Sequence, residues 1–136
     1  MATTIADVAE QIQTYAGSLS GIRAAPKEPP DQMNVYPFAV CGFRRGTVTI
    51  APAGTMKLLG TFVCQIHVAR KDLPRDYRVA MPFGDTFLAK ILQNPTMGGK
   101  VSTVIEVRPR FAEMTYGGIE TLGWDFEIDV KMQVNL

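Results

Sequence analysis

The stretch Leu122-Gly123-Trp124-Asp125-Phe126-Glu127-Ile128-Asp129-Val130-Lys131-Met132-Gln133-Val134 decides the fold. Trp124, Phe126, Ile128, Val130, Met132 and Val134 share one side of an extended chain, and Asp125, Glu127, Asp129, Lys131 and Gln133 share the other. A strand patterned this way buries one face and wets the other, as strands of antiparallel sheets do. A buried parallel strand is apolar on both faces.

Working outward, Val101 to Arg110 alternates in the same way, and two further β-rich runs span Tyr36 to Arg44 and Lys57 to Ala69, the latter with Phe62, Cys64, Ile66 and Val68 on one side. Between those two runs, Arg45-Gly46 and Ala51-Pro52-Ala53-Gly54 supply turn formers around a short Val48 to Ile50 segment. This predicts a hairpin with a long arm or loop, projecting over about residues 45–56. Ile5, Val8, Ile12, Tyr15 and Leu19 recur at helical spacing, with Thr4 placed to cap the helix and Gly21 to end it. Pro26, Pro29 and Pro30 make the following segment an extended connector. A second helical region starts at Asp72, carries Phe83, Phe87, Leu88 and Ile91 as its apolar stripe, and stops at Asn94-Pro95. Pro82 predicts that this helix is kinked or begins only near Met81. The order α, β, β, α, β, β with one-faced strands predicts a single α+β domain, a mainly antiparallel β-sheet with two helices packed on one face.

A chain of 136 residues with 46% hydrophobic and 20% charged residues is long and apolar enough to bury one core without disulfides or metals. Fourteen basic against thirteen acidic residues leave a formal charge of +1, without the electropositive excess of a phosphate-backbone binder, so sequence-specific nucleic-acid recognition is not expected. No run approaches the ~18 apolar residues of a membrane span, and no basic segment followed by an apolar run opens the chain, so neither membrane insertion nor secretion is expected.

Catalytic and metal motifs are missing from the sequence. His67 is the single histidine, no HExxH or CxxC pattern occurs, and a lone histidine on a strand is expected to be a half-buried sheet residue. Cys41 and Cys64 lie in apolar runs suited to a reducing compartment, and Cys64 on the apolar side of its strand is expected to act as a small hydrophobe. Gly98-Gly99-Lys100 lacks the first glycine, the following Ser or Thr and the helix of a phosphate loop, and is expected to be the entry to a strand. Arg44, Arg45, Arg70, Lys71, Arg75 and Arg78 form a basic patch only if their segments meet in space. Asp125, Glu127 and Asp129 are expected to be a solvated or intersubunit surface. Neither an enzyme nor a cofactor is expected.

The helix ending near Gly21-Ile22, the proline-rich step to Tyr36-Pro37-Phe38-Ala39-Val40, Phe62 to Arg70 running into Lys71-Asp72-Leu73-Pro74, the segment Phe87 to Pro95 and the closing strand Leu122 to Ile128 together resemble the layout of tail terminator proteins of tailed bacteriophages. The resemblance covers nearly the whole chain in order and spacing, without a chemical signature. It implies a structural virion protein made in the host cytoplasm, a homo-oligomer in a hexameric ring at the head-proximal end of the tail tube. Such a ring ends tube polymerisation, touches the major tail tube protein and the head–tail connector or stopper protein, lets DNA pass through its lumen, and needs no cofactor, metal or catalytic residue. The residues expected at such interfaces are Arg44, Arg45, Val48, Ile50 and Met56 of the projecting loop, with Pro29 and Pro30 of the connector. Two other readings remain open at this point: a head-completion (stopper or adaptor) ring of the neck, and a small-molecule-binding domain or cryptic enzyme in which Cys41, Cys64 or His67 converge in a pocket.

Overall fold

Thr4 and Asp7 cap the first helix reciprocally: the Asp7 amide donates to Thr4 Oγ1 at 3.1 Å, and the Thr4 amide donates to the Asp7 carboxylate at 3.0 Å. In the computed structural model, which describes residues 4–50 and 56–134, this helix, α1, spans Ile5–Gly17. It ends four residues before Gly21 because the chain turns at Ser18, whose amide already satisfies the last carbonyls. Val8, Ile12 and Ala16 are buried along one side.

Strands β1 (Phe38–Ile50), β2 (Met56–Ala69), β3 (Thr103–Tyr116) and β4 (Ile119–Val134) form one antiparallel sheet in the order β1-β2-β4-β3. The long helix α2 (Leu73–Gln93) joins β2 to β3. α1 packs on β1 and β2, α2 on β2 and β4, and the two helices share one core with Phe62, Cys64, Ile66, Phe126, Ile128 and Val130. The expected α+β architecture is therefore present, with both helices on one face.

The structure refines three sequence expectations. Residues 45–50 are strand, paired with 56–61, so of the two forms expected here these residues take that of a long hairpin arm, and residues 51–55 lie outside the described residues. Gly46 faces Gly60 across the arm, and the Phe43 ring lies over both, filling the space that side chains there would need. α2 already begins at Leu73 and contains Pro82, so it does not start only near Met81, and Asp76 and Ala80 are the buried residues of its first two turns. At its start the Asp76 carboxylate accepts the Lys71 and Asp72 amides at 2.6 and 2.8 Å. Finally, the connector is tied to its own sheet. Arg23 N–H donates to Pro37 O at 2.8 Å, Ala39 N–H to Ala24 O at 2.9 Å, Gln13 to the Ala25 carbonyl, and the Tyr116 hydroxyl to the Pro30 carbonyl.

Candidate functional site

Period-two alternation gives the sheet a second, helix-free face, and β4 places Asp125, Glu127 and Asp129 along its middle. β3 brings Arg108 and Arg110 against them from one side. From the other side, a bulge between Phe43 and Arg45 leaves Arg44 without a cross-strand partner and lets both arginines reach β4. Arg44 Nη1 lies 3.0 Å and Arg45 Nη2 3.5 Å from Glu127 Oε2. Arg108 Nη2 donates to Asp129 Oδ1 at 3.0 Å while its Nη1 donates to Oδ2, a bidentate grip completed by Thr61 Oγ1 donating to Oδ1 at 2.7 Å. The hydrogen bonds from Arg108 hold the Asp129 carboxyl below its ordinary range.

Asp125 is buried rather than solvated. Arg110 donates to its Oδ2 at 3.3 Å and Gln65 at 3.5 Å, and Oδ1 has no partner among the described residues. Of the six cations considered as one patch, four find separate acidic partners: Arg44 and Arg45 meet β4, Arg70 pairs with Glu113 at 3.0 Å, and Arg75 lies 3.8 Å from Asp76. This face is a charge-matched surface, with its arginines and carboxylates neutralising one another within the chain.

Near the start of β1 the same face is closed by the connector. His67 is fully buried there, not half-buried, stacked on Phe38 at 4.8 Å between ring centroids, with Nδ1 2.6 Å from Thr121 Oγ1 and Nε2 3.0 Å from Gln65 Oε1. Burial lowers its pKa to about 4, against a smaller upward pull from Asp125. Cys41 and Cys64 stand directly opposite each other on the helix side of the sheet, so the thiols and the imidazole occupy different faces. Burial pushes the Cys64 thiol far up, which keeps it protonated. Among the described residues no group of three or more His, Cys, Asp or Glu is arranged to hold a metal, and no helix is long and apolar enough to cross a membrane.

Of the expected interface residues, Val48 and Ile50 are 51% and 79% exposed on the arm, and Met56 is half-buried beside them. Pro29 is exposed, while Pro30 belongs to the strap held by Tyr116. A second apolar surface was not visible in the sequence. Leu88, Ile91 and Leu92 of α2 and Val104, Ile105 and Val107 of β3 border an open groove of about 340 Å³. Leu92 and Ile105 are 81% and 56% exposed. Ile105 is the extra residue of a bulge between Val104 and Glu106, which puts Val104 and Val107 on one face and breaks the strict alternation that the sequence suggests. The one available signal was the unbroken apolar pair Val104-Ile105 inside an otherwise alternating strand. The chain matches no family model and no curated protein sequence.

Proposed function

We propose that this chain is a structural subunit of a phage tail terminator ring, seated at the head-proximal end of the tail tube, where it stops tube growth and meets the head connector. The observation that carries this reading is the β-hairpin arm of β1 and β2, which holds Val48 and Ile50 out to solvent at 51% and 79% exposure. A solitary subunit gains nothing by exposing two adjacent aliphatic side chains on one side of an arm, whereas an assembly covers them. The resemblance in element order supports the same reading. So does the self-neutralised charged face, which suits a wall built to present shape rather than to capture a charged ligand.

Function in this reading is geometric. One interface repeats around a closed rotation, one annular face complements the last tube ring, and the opposite one complements the connector. Localisation tests it: electron microscopy of virions carrying an epitope on this chain, with gold-labelled antibody, is expected to show label at the junction of tail and head. Label along the tail shaft, at the distal tip or on the capsid shell contradicts the proposal.

A further inference from the structure

The amide of Ala39 points away from its own hairpin, donating to the Ala24 carbonyl of the connector at 2.9 Å. Its N–H is thus turned from Ile66, the residue opposite it on β2, and the two form a non-hydrogen-bonded pair of the ladder. Along an antiparallel ladder such pairs alternate with hydrogen-bonded ones. Two residues on, Cys41 faces Cys64 in a pair of the same kind, because the register shifts only beyond Phe43. Partners in a non-hydrogen-bonded pair bring their Cα atoms to about 4.5 Å, inside the roughly 4.4–6.8 Å that a disulfide spans. Both side chains lie on the helix side of the sheet, and a hydrogen bond between the two thiols adds to the burial that keeps Cys64 protonated.

The two thiols differ in access. Cys41 is half-buried on an edge strand, whereas Cys64 is fully buried one strand further in. A soluble oxidant therefore meets Cys41 first, and Cys64, the only other cysteine of the chain, stands next to the adduct.

We propose that Cys41 and Cys64 are a redox modification site that closes into a cross-strand disulfide when the folded chain meets a small-molecule disulfide. The Cys41 thiolate attacks one sulfur of the oxidant and expels the other as a thiol. The Cys64 thiol, giving up its proton, then attacks Cys41 Sγ and expels the second. One S–S bond breaks and one forms, the two cysteines lose two electrons and two protons, and the oxidant leaves as two thiols. The new bond joins β1 to β2 at the root of the arm and closes residues 42–63 into a covalent loop, so Val48 and Ile50 sit on a hairpin whose register is locked. The chemistry stands on the register and not on the ring reading. That reading supplies the occasion, since a particle assembled in a reducing cytoplasm meets an oxidising medium on release.

Thiol–disulfide equilibration tests it. The full reduced chain is equilibrated with mixtures of reduced and oxidised glutathione, both natively and in guanidinium chloride, then quenched in acid and mapped by mass spectrometry. The folded chain is expected to hold the internal Cys41–Cys64 bond. Its effective thiol concentration is expected to exceed that of the unfolded chain by about a hundredfold, as for a bond that fits the native geometry. Cys64→Ala is expected to stop at one glutathione on Cys41, and Cys41→Ala to carry none while folded. No internal bond, two glutathiones per chain, a bond between copies, or an effective concentration no higher folded than unfolded each overturns the site. The comparison of folded with unfolded protein uses the unaltered chain, so it decides the matter even where a variant fails to fold. Label away from the tail–head junction removes the ring reading and leaves this site in place.

Discussion

The indole N–H of Trp124 donates to the backbone carbonyl of Ala80 at 3.0 Å, pinning the middle of α2 to β4. Two residues further along the helix, Pro82 has no N–H to return to the preceding turn. Gly84 makes the approach possible: a Cβ there would stand 2.5 Å from Trp124 Cζ2.

Gly84→Ala therefore sets two effects against each other. Helix propensity favours alanine by about 1 kcal/mol, and the clash with a ring packed on Phe111 and Phe126 opposes it by about 1–3 kcal/mol or more. The clash is expected to win, lowering stability in urea unfolding. A variant more stable than the parent contradicts this account of the α2/β4 contact. Trp124→Ala, which removes both ring and hydrogen bond, is expected to cost about 3–5 kcal/mol.

The carboxylates of β4 should not be equivalent. Asp129 is bound at both oxygens by Arg108 and Thr61, whereas Asp125 has an oxygen without a partner among the described residues. Asp129→Asn is expected to cost about 1–3 kcal/mol and Asp125→Asn less than about 1 kcal/mol. Equal costs in denaturant titrations contradict the hydrogen-bond pattern on the open face.

His67 sets an acid dependence of definite sign. The folded chain keeps it neutral down to about pH 4, while an unfolded histidine takes up its proton near 6.5. Between those values the unfolded state binds more protons, so stability is full above about 6.5 and falls by up to roughly 3 kcal/mol as pH drops towards 4. His67→Gln is expected to flatten this part of the pH–stability curve. The Asp129 carboxyl, held low by Arg108, makes a separate contribution that is lost only at more acid pH, as it protonates.

The alternating faces of β4 were legible because one face is core and the other a charge ladder, the condition under which period two is most visible. The capping box of Thr4 and Asp7 was legible in half, through the capping residue alone. What failed were the places where a local signal is overridden by a distant partner. Gly46 reads as a turn until Gly60 and the Phe43 ring are brought against it, and Pro82 reads as a kink or a late start in a helix that in fact begins at Leu73. Arg44 reads as the end of a strand and Arg45 as the start of the arm or loop, and only the bulge in β1 aims them both at Glu127. The groove was invisible because it joins α2 to a bulged strand some fifteen residues later, and neither half is distinctive alone.

Ile50→Asp separates folding from assembly. Ile50 is 79% exposed, so its replacement is expected to change unfolding free energy by no more than about 0.5 kcal/mol. The same change is expected to abolish complementation of a phage lacking the gene. A folded Ile50→Asp protein that supports full infectivity shows that the arm has no part in assembly. Excising the arm is a poorer test, because Leu58 on it is 1% exposed and belongs to the core.

Tail length in the absence of this chain tests the central claim most directly. Particles from a phage deleted for the gene, measured by electron microscopy beside particles complemented with the wild-type chain, are expected to include overlong tails and tails without heads, with normal length and head attachment restored by complementation. Tails of normal length joined to heads in the deletion contradict the proposed role.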